Sequence, residues 1–291
     1  MSKFQLKPKE LVEKQDQPER WNFAPVENDI KILAFSGKLG SGKSSSSNFL
    51  HSLAFMYVLG LTDHAFVNED GKLVVKTAEG DYNDVNLNSK HPEVVDFLSR
   101  SVWPFIKNYS CADYLKRICI DVLGLDENLV YGSQADKQTL THLNWEDVPT
   151  FEKEVAPKNS KSKIGIRVKT GKMTVRDVLE YVGTELFRKM HNNCWAEALV
   201  KSIKRDKSSF AIVDDVRFIN EVEAVQKAGG KVIRLTLVTD EAAANTHASN
   251  IELDNYDGFD YVLDNSSKSM EDTFRELLSV LTDWGYFAVV Q

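Results

Sequence analysis

The run "IKILAFSGKLGSGKSSSSNFLHSLAFMYVL", residues 30–59, constrains this chain more than any other stretch. An apolar run leads into Gly37, the segment Gly37 to Ser44 fits G-x-x-x-x-G-K-[ST], and Phe49, Leu53, Met56 and Tyr57 then recur at helical spacing. Strand, glycine loop and helix in that order predict a βα unit with its amides turned into the loop. Gly37, Gly40, Ser41 and Gly42 let backbone N–H groups face phosphate oxygens, and the helix N-terminus adds positive potential. Lys43, read as an exposed loop cation, reaches the outer phosphates; Ser44 offers a hydroxyl to Mg2+ and Ser45 a donor to an inner phosphate. The expected ligand is a nucleoside triphosphate, ATP with Mg2+.

The rest of the chain supplies a sheet for that unit. "FAIVDDVRFINEVEAVQKAGGKVIRLTLV", residues 210–238, reads as a buried strand, a helix with Val222 and Val225 inward, a Gly229-Gly230 stop and a second buried strand. Such continuous apolar strands joined by a helix belong to a parallel sheet covered on both faces. The fold expected is α/β, a three-layer α/β/α P-loop NTPase with a central parallel sheet. Asp70-Gly71 between two β-prone runs predicts a hairpin over 65–77, within an insertion at about 60–95. "SCADYLKRICIDVLGL", residues 110–125, puts Ala112, Leu115, Cys119 and Val122 on one helical stripe closed by Gly124. Thr174 with Asp177 and Ser269 with Asp272 have capping-box spacing before helices that carry Val178, Leu179, Val182 and Leu186, and Phe274, Leu277, Leu278 and Leu281. Residues 1–29, with Pro8, Pro18 and Pro25, read as a polar extension to a kinase domain over 30–291. A helical lid or substrate-binding region is expected at about 110–175. Its basic stretch over 152–172, with Lys153, Lys158, Lys161, Lys163, Arg167, Lys169 and Lys172, is either a lid over ATP or a solvated loop.

Composition narrows the partners. Across 291 residues, 36 basic and 43 acidic side chains leave a net charge of −7, which offers no global attraction to nucleic acid or to an anionic membrane. The three cysteines lack CxxC spacing, so a reducing cytoplasm is expected and a zinc site is not. No window of transmembrane length is free of charge. A small nucleotide is the expected partner, and a homodimer stays open.

A phosphate loop alone does not separate a kinase from a switch or a motor, so a second site must decide. Phosphoryl transfer needs cations around the moving group and a clamp on the acceptor. Lys116, Arg176, Arg188 and Arg217 are the candidates. Asp214 and Asp215 end the strand "FAIVDD" at the carboxyl edge of the sheet, where one, assigned here as Asp214, holds Mg2+ and the other accepts from substrate or orients Arg217. The bland alternatives are a capping pair for the acids and a solvated helix face for Arg176 and Arg188. His247 reads as a loop residue; Trp145 and Trp195 either stack on a base or anchor the core.

Taken in order, "GKLGSGKSS", "YSCADYLKRICIDVLGL", "VYGSQADKQTLT", "TVRDVLEYVGTELFRKMHNNCW", "AIVDDVRFINEVEAVQKAGGKVIRL" and "THASNIELDNY" resemble the phage-type deoxynucleoside monophosphate kinases. The resemblance implies transfer of the γ-phosphate of ATP to a deoxynucleoside 5′-monophosphate with Mg2+. It further implies that Lys116, Arg176, Asp215 and Arg217 flank the acceptor. Two departures stand out: Tyr114 replaces a proline common before the Leu-Lys pair, and Asn250 follows "HAS" where an acid is expected. Two other readings of the phosphate loop are a kinase for a hydroxyl of a modified nucleotide or of a hydroxymethylated base in DNA, and an ATPase or switch module.

Overall fold

The computed structural model describes residues 30–148, 169–237 and 252–286, so the extension over 1–29, most of the basic stretch, His247 and Asn250 lie outside the described residues. The chain divides into two compact units, Met1–Cys111 with Ala196–Gln291, and Ala112–Trp195.

In chain order the elements are β1 (Lys31–Gly37), α1 (Lys43–Leu53, continued by a π turn Ala54–Val58), β2 (Ala65–Val67), β3 (Leu73–Lys76), β4 (Tyr82–Val85), α2 (Pro92–Ser101) and β5 (Ile106–Tyr109). Next come α3 (Asp113–Asp121), α4 (Glu127–Tyr131), β6 (Leu140–Asn144), β7 (Lys172–Thr174), α5 (Val175–Glu180, continued by a π stretch Tyr181–Arg188) and α6 (Cys194–Asp206). The chain ends with β8 (Phe210–Val216), α7 (Ile219–Lys227), β9 (Lys231–Thr236), β10 (Tyr261–Asp264) and α8 (Met270–Asp283).

The first unit is built on a five-stranded sheet of order β10-β9-β1-β8-β5, parallel throughout. Helices flank it, giving the α/β P-loop kinase-like architecture. Leu33 and Phe35 of β1 pack with Phe49 and Leu50 of α1 and Phe274 and Leu277 of α8, all almost fully buried. The rings of Phe49 and Phe274 stack 4.2 Å apart and nearly coplanar, joining the two helices over the same face. Val222 and Val225 of α7 are fully buried, as their spacing predicts.

One irregularity in the sheet matters for the site. Between the pairs Ala34–Val213 and Ser36–Val216, β8 carries one residue more than β1. This bulge falls on Asp214 and Asp215, where it breaks the strict alternation of faces and re-aims side chains at the carboxyl edge.

The hairpin over 65–77 is present as β2 and β3, but a third antiparallel strand, β4, extends it into a three-stranded sheet. Its "YNDV" gives no apolar alternation to read. In the second unit the core gathers Cys119, Val130, Met173, Val175, Val178 and Val182. Two expectations fail there. The stripe over 110–125 does not include Val122, because α3 ends at Asp121 and leaves Val122 at the C-cap, 75% exposed. Leu186 is only half-buried, because the helix after Glu180 widens to π and its side chains leave the α-helical period.

Candidate functional site

Gly42 forms the left-handed N-cap of α1 with φ +94°, a conformation that favours glycine and turns the loop into the helix. The loop, Asp214, Asp215 and Arg217 line one cleft of about 600 Å³, together with Asn265 and Lys268 beyond β10. That size suits a small-molecule ligand, and the position is the carboxyl edge of a parallel sheet.

Lys43 is not the exposed cation its motif suggests: its side chain is 13% exposed. Its Nζ donates to the carbonyls of Gly37 at 2.6 Å and Lys38 at 2.9 Å, and Asp215 Oδ1 stands at 3.6 Å, within ion-pair range. Burial holds the lysine below its ordinary pKa; Asp215 opposes that shift and Arg217 adds to it. Asp215 also accepts from Arg217 Nε at 2.5 Å, so one carboxylate ties the loop cation to the arginine beyond β8.

The start of α7 is held by carboxylates instead of a cap side chain at Phe218. Glu221 accepts the Arg217 N–H at 2.9 Å and Glu252 accepts the Ile219 N–H at 3.0 Å. The second bond answers an orphan donor of the helix, and the first ties the residue before the cap back to the first turn, fixing the backbone at Arg217.

Sequence reasoning missed several residues that brace the loop. Asp254 pairs with Lys38 Nζ at 3.0 Å and with Arg234 Nη2 at 3.2 Å, while Arg234 Nη1 donates to Ser36 Oγ at 2.9 Å. Asn265 donates to the Ser41 carbonyl at 2.8 Å and accepts from Thr273 at 3.1 Å. Asp254 lies in the "IELDNY" block quoted for the resemblance, but its partners are distant in sequence and gave no local signal.

Lys116, Arg176 and Arg188 all belong to the second unit. Within it, Lys116 Nζ lies over the Tyr131 ring at 4.6 Å, and burial pushes the Tyr131 hydroxyl up to about 12. Arg176 bonds Gln134 and stands 3.6 Å from Glu180. Arg188 closes the π stretch, half-buried. Trp195 is a core anchor: it is 5% exposed, its Nε1 donates to the Gly183 carbonyl at 3.0 Å, and its ring packs on Phe187. Trp145 meets Tyr181 edge-on and carries Lys169 Nζ at 4.2 Å over its face.

The oxygen donors of the cleft fit a hard cation. Ser44 and Asp214 both line it, and among the described residues no group of three His, Cys, Asp or Glu side chains forms a closed metal cage. Mg2+ needs no such cage, because it keeps waters and takes phosphate oxygens as ligands.

No protein-family model matches the chain. Over 185 residues, 58% of this chain and 80% of the other, it is 26% identical to a protein of Acanthamoeba polyphaga mimivirus named "Putative deoxynucleotide monophosphate kinase". That distant likeness supports a nucleotide-kinase function. Among the described residues no helix is long and apolar enough to cross a membrane.

Proposed function

We propose that the protein transfers the γ-phosphoryl group of ATP to a deoxynucleoside 5′-monophosphate, with Mg2+. The observation that carries this reading is the single cleft in which a glycine loop and its lysine meet Asp214, Asp215 and Arg217. Catalysis of phosphoryl transfer is positioning plus charge stabilisation, and these residues supply both.

On this reading Lys43 exchanges its bonds to the Gly37 and Lys38 carbonyls for the outer phosphates. Gly40, Ser41, Gly42 and Ser45 surround the inner phosphates. Ser44 and Asp214 would hold Mg2+, which would supply positive charge against the phosphate oxygens. Asp215 holds Arg217, the cation assigned to the acceptor, through its Nε and limits the fall in the pKa of Lys43. Lys116, Arg176 and Arg188 are proposed as acceptor-side cations on the strength of the resemblance and their chemistry. A small nucleotide acceptor fits the net charge of −7 better than a polymer does.

The test is ADP formation with ATP and Mg2+ against dTMP, dGMP, dCMP, dAMP, hydroxymethylated pyrimidine nucleotides and DNA, each added singly. Turnover that depends on one subset, with the matching diphosphate as product, is expected. ADP released equally without acceptor would make the protein an ATPase, and turnover only with DNA would move the acceptor to a polymer. Lys43→Ala should lower transfer by at least about 10²-fold while keeping the fold, read by the same assay beside a thermal melt.

A further inference from the structure

The turn between β2 and β3 presses on the helix that follows the phosphate loop. Asn48 Nδ2 in α1 donates to the Gly71 carbonyl at 2.8 Å, and a Cβ on Gly71 would stand 2.3 Å from Ser45 Oγ. Gly71 has φ +76°, and its N–H bonds the Asn68 carbonyl at 2.9 Å while Asn68 Oδ1 takes the Lys72 N–H at 2.9 Å. The three-residue loop is therefore closed on itself, with left-handed glycine at its last position. Its flanks are anchored, because Val67 and Leu73 are buried in the main core. Glu69, Asp70 and Gly71 line the same cleft as Ser44 and Ser45.

The left-handed φ already favours glycine in this turn, and the fold sets that bare Cα against Ser45 and Asn48 of the loop helix at the edge of the cleft. We infer that this turn positions the donor nucleotide: the bare Cα of Gly71 leaves Ser45 Oγ its place beside the inner phosphates, and Asn48 holds the turn at that distance. The inference rests on the nucleotide-binding reading above and adds a positioning residue to it. The 2.3 Å approach involves the far end of a serine, which rotates away at small cost to the fold. A side chain at Gly71 therefore carries the backbone strain of a left-handed residue and, separately, acts on donor binding through Ser45, and the Ser45→Ala background tells the two apart.

The experiment measures the Kd of a non-hydrolysable ATP analogue by calorimetry and steady-state KM and kcat for donor and acceptor, in the full chain. Gly71→Ala should raise the donor Kd and KM about tenfold and move the acceptor KM by less than about twofold. In a Ser45→Ala background the same substitution should add less than about twofold, because the displaced atom is gone. Asn48→Ala, which leaves every glycine in place, should weaken donor binding about threefold and carries the test if Gly71→Ala does not fold. Equal losses in both backgrounds would assign the effect to strain in the turn and overturn the inference, as would unchanged donor affinity in Gly71→Ala and Asn48→Ala. A wild-type protein that binds no ATP analogue would remove the nucleotide reading and this inference together. Binding with the expected coupling, but no phosphorylated deoxynucleotide, would remove the acceptor assignment alone.

Discussion

Asp215 is the residue on which the charges of the cleft converge, with Lys43 on one oxygen and Arg217 on the other. The anion favours the charged form of Lys43, so removing it should lower the lysine pKa further. Asp215→Asn should therefore shift the alkaline limb of the pH–rate profile to lower pH, with kcat down by about 10²-fold, checked beside a melt that controls for folding. At this scale the sequence is uneven evidence. Gly37 to Ser44 are contiguous, and their chemistry is legible in their order. Asp254 on Lys38, or Asn265 on the Ser41 carbonyl, join residues that only the sheet brings together. The burial of Lys43 is likewise a tertiary fact, invisible in a motif that shows only its neighbours.

Among the elements, the capping box of α5 is present in both directions. Thr174 Oγ1 accepts the Asp177 N–H at 3.1 Å, and Asp177 accepts the Thr174 N–H at 3.0 Å. Thr174→Ala should cost about 1 kcal/mol, seen as a lower urea midpoint with an unchanged slope. Caps are local, so this one was legible, as was the period of α7 and α8. The π stretches after α1 and α5 were not, because the apolar spacing of a widened turn differs little from that of an α-helix over so few residues. The bulge at Asp214–Asp215 was hidden for another reason: it exists only relative to the register of β1.

For the molecule as a whole, His51 sets an acid limit on stability. It is fully enclosed in α1, its Nδ1 lies 3.0 Å from the Ser47 carbonyl, and desolvation pulls its pKa down to about 4 against that bond. Unfolded, the ring titrates near its ordinary 6.5, so between those values the unfolded chain binds more protons than the folded one. This group is therefore neutral to folding above about pH 6.5 and destabilises progressively as pH falls toward about 4, by on the order of 3 kcal/mol in total. His51→Asn, whose amide matches the position of Nδ1 and does not titrate, should flatten that part of the curve of melting temperature against pH; an unchanged slope would place the acid sensitivity elsewhere.

The strand that leads into the phosphate loop has no sequence neighbour beside it in the sheet. Leu33 of β1 lies between Ile212 of β8 and Lys231 of β9, about 180 to 200 residues later in the chain. During synthesis β1 leaves the ribosome as an apolar segment without partners, while Ala112–Trp195 is contiguous and has its own buried core. The order of assembly expected from this is that the contiguous unit, although translated second, completes its fold first. The cleft at the carboxyl edge is then expected to form late, when β8, β9 and β10 reach a β1 made well before them.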